Sequence, residues 1–173
     1  MKSATLFALT ALVFLAYWSA ANPSFEASPT QSEWPRVLAF SGIILTLAFA
    51  VAQFAPLVGG RIALRAALAA AGGGVLSKAA NILEDGLGIE WGFFGFIFGE
   101  AITFLGLLAL TIAIAARDGQ RFFALVPAGT MAGLLFFVIA GGPLMLATWL
   151  LAAALALAPA PAEAEDASAP GLD

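Results

Sequence analysis

One long uncharged stretch constrains the fold of this chain more than any other feature of its sequence. From Arg121 to Pro159 the chain runs for 39 residues and carries no charged side chain after Arg121. As one helix this stretch would be about 58 Å long, whereas the hydrocarbon core of a bilayer is about 30 Å thick. It therefore predicts two helices, with a break at Gly141-Gly142-Pro143 because two glycines and a proline rarely continue a helix.

The composition of the whole chain points in the same direction. Of its 173 residues, 62% are hydrophobic and only 10% are charged, and the mean hydropathy is +0.99. Soluble domains are closer to half apolar and a quarter charged. Because so few charges cannot cover a water-facing surface, the composition excludes a soluble globular fold and predicts a multi-pass membrane protein.

The apolar runs predict an all-α bundle of six transmembrane helices, which form a single domain over residues 1–159. The predicted helices span residues of about 4–21, 37–58, 62–83, 91–116, 122–140 and 143–158. A polar, proline-containing loop is expected at 22–36, and an acidic Ala/Pro-rich tail at 160–173 is expected to be disordered because it has no apolar face to bury.

The first apolar run has two interpretations. It follows the single cation Lys2 and ends near the small residues Ser19-Ala20-Ala21, as a cleavable signal peptide would, and cleavage would leave five spans. Tyr17 and Trp18, however, sit where an interfacial aromatic anchor ends a spanning helix. We favour a retained helix, because nothing downstream resembles a secreted domain.

The charges predict that both ends of the chain are cytoplasmic, since Lys and Arg in short loops mark the cytoplasmic side of a membrane. With the N-terminus inside, five cations fall inside: Lys2, Arg61, Arg65, Arg117 and Arg121. The outer loops then hold one cation and five acids: Arg36, Glu26, Glu33, Glu84, Asp85 and Glu90. Three tryptophans, Trp18, Trp34 and Trp91, lie at the outer interface. We expect a multi-pass protein of the plasma membrane, the inner membrane in a bacterium.

Several function classes lose support from residues that the sequence lacks. It has no His and no Cys, the usual ligands of haem, zinc and iron–sulfur clusters and the usual acid/base and thiol nucleophile. The net charge is −4 and no basic cluster occurs, so nucleic-acid binding is not expected. We expect no cofactor, no metal ion and no enzymatic activity.

Small residues recur along one face of the fourth predicted helix. They are Gly92, Gly95, Gly99, Thr103 and Gly106, at spacings of three and four residues. Small residues let helix backbones approach closely in lipid. The pattern favours packing against the Ala/Gly-rich third helix within the chain, and the alternative is a seam with a partner protein or a second copy. The pair Gly129 and Gly133 allows the same two interpretations.

Three polar residues inside the spans form a candidate intramembrane site: Lys78, Asn81 and Glu100. An ionised carboxylate at the depth of Glu100 is costly unless it is paired, hydrated or protonated. One hypothesis is an ion pair between Lys78 and Glu100, with Asn81 beside it. In the alternative, Lys78 extends outward to Glu84, Asp85 or lipid headgroups, and Glu100 is neutral and hydrogen-bonded. The acidic stretch at 82–92 is interpreted as a solvated turn.

These features favour a structural or accessory membrane protein, which binds lipid and either a membrane-protein partner or a second copy of itself. The alternative is a small proton- or ion-coupled transporter or channel unit that uses Glu100 with Lys78. An enzyme would need several polar side chains converging at one depth, and the short loops supply few.

Overall fold

The computed structural model describes residues 2–21, 34–117 and 119–158. Most of these residues are helical, and none of those described forms a strand, which confirms the predicted all-α class. The helices are α1 (Lys2–Ala21), α2 (Trp34–Val58), α3 (Arg61–Asn81), α4 (Gly92–Ala115), α5 (Leu125–Leu135) and α6 (Phe137–Leu157). A π-helix (Ile82–Gly86) continues α3, and a 3-10 turn (Arg121–Ala124) precedes α5. Most of the predicted loop at 22–36 and the whole predicted tail at 160–173 lie outside the described residues.

Four segments are long and apolar enough to cross a membrane, which supports the membrane-protein class. They are Val37–Val58, Arg61–Gly86, Gly92–Ala115 and Ile139–Leu157. The other two predicted spans correspond to shorter apolar helices, Ser3–Ser19 and Arg121–Leu135. By length and composition, therefore, four of the six predicted crossings are supported.

The last helical hairpin bends at Phe136, so the predicted break at Gly141-Gly142-Pro143 is wrong. Phe136 leaves the helical conformation with φ −99° and ψ 25°, and α6 then runs through both glycines and Pro143. The reason is tertiary packing, because Trp18 of α1 packs on the bare backbone of the two glycines and its Nε1 donates a 2.7 Å hydrogen bond to Phe137 O. The predicted helices 122–140 and 143–158 are therefore replaced by α5 (Leu125–Leu135) and α6 (Phe137–Leu157), and Pro143 lies inside α6.

The main core lies where α1, α2 and α6 meet. The rings of Phe7, Phe54 and Trp149 are fully buried there, with centroids of Phe7 and Trp149 5.6 Å apart and those of Phe7 and Phe54 6.0 Å apart. The run that resembles a signal peptide thus supplies core residues to the described bundle.

Successive helices run in opposite directions. This arrangement brings basic residues to one end of the bundle and acidic residues to the other. At the basic end, Arg117 donates hydrogen bonds to the carbonyl oxygens of Val58 and Gly59, which end α2. At the acidic end, Trp34 packs on Gly86 of the π-helix, and this helix carries Glu84 and Asp85. The stretch expected to be a solvated turn at 82–92 therefore begins as a helical extension of α3.

Candidate functional site

The backbones of α3 and α4 are in direct contact along the small-residue seam. A Cβ atom added to Gly106 would lie 2.5 Å from Ala70 N, and one added to Gly92 would lie 2.6 Å from Ala80 O. The five seam residues, Gly92, Gly95, Gly99, Thr103 and Gly106, all face α3 of the same chain. The structure therefore places these residues at an intramolecular interface. Gly129 and Gly133 likewise face Thr148 and Met145 of α6.

Glu100 lies beside this seam and is hydrogen-bonded across it. Ser77 Oγ of α3 donates a 2.7 Å hydrogen bond to Glu100 Oε1. The backbone approach at Gly99 makes this bond possible, because a Cβ at that position would overlap the backbone of Ser77. A neutral hydroxyl therefore contacts the carboxyl group at the position where an ammonium group was predicted.

Glu100 also borders a small cavity between α2, α3, α4 and α5. Its volume is about 20 Å³, which is enough for about one water molecule. Most of its walls are apolar, and the polar residues that line it are Glu100, Thr103 and Thr130. Both hydroxyls already donate to backbone carbonyls one turn earlier, Thr103 to Gly99 O and Thr130 to Val126 O.

The predicted ion pair between Lys78 and Glu100 is not present in the structure. Lys78 is only 6% exposed, and its Nζ has no hydrogen-bond partner among the described residues. Successive helix residues are about 100° apart, so Lys78 cannot share the direction of Ser77. It lies one turn beyond Gly74, which packs on Ile44 and Ala48 of α2. The ion-pair hypothesis is wrong because Lys78 lies on the side of α3 that packs on α2, whereas Glu100 contacts the side that carries Ser77. The low exposure of Lys78 also argues against the alternative, in which it extends outward.

Asn81 takes part in a different hydrogen bond from that of Glu100. It is 5% exposed, and its Nδ2 donates a 2.7 Å hydrogen bond to Asp85 Oδ2. Its Oδ1 is buried without a partner among the described residues. Of the three predicted site residues, Lys78 and Asn81 are therefore neighbours near the acidic end, whereas Glu100 pairs with Ser77.

Two contacts of this site were not predicted from the sequence: the hydrogen bond from Ser77, and the hydrogen bonds that Thr103 donates to Ala70 O and Gly99 O. A signal was available, because Ser77 lies four residues after Gly73 and so continues the small-residue face of α3. A small polar residue on such a face can reach the opposite helix.

The chemistry that this arrangement offers is limited to hydrogen bonding and proton exchange at one carboxyl group. In the described ranges, no three His, Cys, Asp or Glu residues are grouped so that they could hold a metal ion. Comparisons with protein-family models, with curated proteins and with solved structures gave no match to this chain. Its function has to be inferred from its own geometry.

Proposed function

We propose that this chain is a multi-pass membrane protein with a structural or accessory role, in which α3 holds α4 rigidly so that α4 can bind a partner helix. The observation that carries this proposal is the division of α4 into two faces. One face is the glycine seam against α3, and the other presents large exposed side chains, such as Phe94 (64% exposed), Phe98 (63%) and Leu105.

The two faces have different consequences in a bilayer. Apolar surface gains little by leaving lipid, so helix association depends on close packing and on a rigid, preformed surface. Backbone contact with α3 makes α4 rigid. The exposed phenylalanine side chains of α4 can then pack between the small residues of a partner helix. Lipid is the competing occupant of this face.

The proposal includes six crossings with both ends in the cytoplasm of the cell, in the plasma membrane (the inner membrane in a bacterium). Arg61, Arg65 and Arg117 near one end of the bundle support this orientation, and so do Glu84 and Asp85 near the other. The short helical segment Arg121–Leu135 can cross only if it tilts little and the bilayer thins around it. No enzymatic activity is proposed.

Site-specific photo-crosslinking in native membranes tests the accessory role. A photoreactive amino acid replaces Phe98 on the exposed face of α4, and a matched control replaces Leu9, which is exposed on α1. We expect one discrete protein adduct from position 98, identified by mass spectrometry, and lipid adducts alone from position 9. An adduct of twice the chain mass would identify a second copy as the partner. Lipid adducts alone from both positions would contradict the proposal.

A second candidate function is a proton- or ion-coupled transporter unit that uses Glu100; the partnership with Lys78 expected from the sequence is not part of it. The observation that favours it is the position of Glu100 at a small cavity that Thr103 and Thr130 also line. The small volume of that cavity favours the accessory role instead. Reconstitution into liposomes with a pH-sensitive dye separates the two, because a proton flux that Glu100→Gln abolishes would replace our first proposal.

A further inference from the structure

A second and larger hollow opens at the acidic end of the bundle. It lies between the start of α2, the end of α3 with its π-helix, and the first turns of α4, and its volume is about 310 Å³. This volume is at the lower end of the range for small-ligand pockets. We call it the acidic cleft, and its walls include Phe40, Asn81, Glu84, Asp85, Phe93 and Phe96.

The polar groups of the acidic cleft favour a positively charged ligand. Glu84 and Asp85 contribute carboxylates, and no Lys or Arg is among the described residues that line the cleft. Asn81 is nine-tenths buried in its wall, and its Nδ2 is already bonded to Asp85. The Asn81 Oδ1 is thus the end of the amide dipole that has no partner among the described residues, and it adds to the negative potential.

The aromatic walls favour the same kind of ligand. The rings of Phe40 and Phe96 lie with centroids 6.2 Å apart, and Phe93 stands at the same cleft with 49% of its surface exposed. The face of an aromatic ring carries negative potential and attracts ammonium groups within about 6 Å. Carboxylates beside several rings are therefore suited to an organic cation that has both charge and apolar surface.

A metal ion fits this cleft less well than an organic cation does. Calcium takes six to eight oxygen ligands and magnesium requires octahedral geometry, whereas phenylalanine rings supply no oxygen. No group of three acidic side chains with metal-binding geometry occurs in the described part of the chain.

We propose that the acidic cleft binds an organic ammonium group, primary or quaternary. The cleft lies where the span Arg61–Gly86 ends, so the group can come from a lipid headgroup such as ethanolamine or from a soluble amine. Lys78 lies one turn before Asn81 on α3 and outside the lining, so its charge opposes the binding of a cation. The inference goes beyond the proposed accessory role and does not depend on it.

The test uses the full chain in nanodiscs of phosphatidylglycerol, whose headgroup has no ammonium. Choline chloride and ethanolamine chloride are titrated by calorimetry against sodium chloride at matched ionic strength, and we expect saturable binding of either amine. In a second arm, native mass spectrometry measures retention of phosphatidylethanolamine from mixed nanodiscs. Binding in the first arm alone identifies a soluble ligand, and lipid retention identifies a headgroup.

Variants make the test specific to the acidic cleft. We expect Asp85→Asn to weaken binding at least tenfold, Phe93→Leu to weaken it about twofold to fivefold, and Lys78→Met to strengthen it. Glu90→Gln is the matched control, because Glu90 is exposed and outside the lining. If Asp85→Asn does not fold, Phe93→Leu tests the proposal instead, because it changes a half-exposed side chain. The absence of binding in both arms, or binding that is equal in Phe93→Leu and the unmodified chain, would overturn the proposal.

Discussion

Ser77 Oγ and Glu100 Oε1 are 2.7 Å apart, and their hydrogen bond joins α3 to α4 beside the point where the two backbones touch at Gly99. The carboxyl group is therefore satisfied by a neutral donor from the neighbouring helix. An arrangement of this kind is compatible with a protonated acid in a membrane, and it does not require a buried cation as a counterion.

Removal of this bond tests its contribution to stability. We expect Ser77→Ala to lower the free energy of unfolding by about 0.6 kcal/mol and by no more than about 1.7 kcal/mol, the average and the maximum measured for interhelical hydrogen bonds in a membrane protein. Glu100→Gln keeps an oxygen that accepts from Ser77, so we expect a loss below about 1 kcal/mol. Both are measured by reversible unfolding in mixed micelles. A loss of about 3–5 kcal/mol in Glu100→Gln would instead indicate a broken buried ion pair.

The contact between the backbones of α3 and α4 predicts a sharp difference between two glycines. Gly99→Ala places a methyl group on the backbone of Ser77, so we expect a loss of about 1–3 kcal/mol in unfolding free energy. Gly72→Ala is the matched control, because a Cβ there meets nothing within 4 Å. It should leave stability unchanged or raise it by up to about 1 kcal/mol through helix propensity. Equal losses in both variants would contradict a seam formed within one chain.

The sequence was sufficient to predict the all-helical class, because the lengths of the apolar runs follow from counting along the chain. It was not sufficient where direction around a helix decides the contact. Lys78 and Ser77 are adjacent in sequence, but Lys78 lies on the side of Gly74, which packs on α2, and Ser77 on the side that packs on α4. Which side faces which neighbour depends on the arrangement of the whole bundle.

The end of α5 illustrates a second limit. Gly141, Gly142 and Pro143 are local signals for a helix break, and local signals are sufficient only where tertiary contacts do not oppose them. Here Trp18, more than a hundred residues away in sequence, packs on the two glycines, and the chain bends at Phe136 instead. A single sequence gives no indication of this pairing between α1 and α6.

The aromatic core predicts that α1 contributes to stability in the mature protein. Phe7→Ala removes a fully buried ring from its contacts with Phe54 and Trp149. Such truncations cost about 3–5 kcal/mol in soluble cores, and we expect about 2 kcal/mol here because lipid lowers the transfer contribution. Leu12→Ala, on the exposed side of α1, is the control and should have a small effect. If Phe7→Ala matched the control, or intact mass showed removal of residues 1–21, α1 would not belong to the functional bundle.

The two ends of the bundle differ in charge, and this difference predicts which end faces the cytoplasm. The chain has no cysteine, so single cysteines report accessibility without background. Leu87→Cys marks the acidic end and Phe122→Cys the basic end, and both side chains are exposed. Because cationic loops stay on the cytoplasmic side, a membrane-impermeant maleimide added to intact cells should label position 87, and position 122 only after permeabilisation. Labelling of position 122 but not position 87 in intact cells would show the opposite orientation. Labelling of both positions in intact cells would show that the acidic and basic ends do not lie on opposite sides of the bilayer.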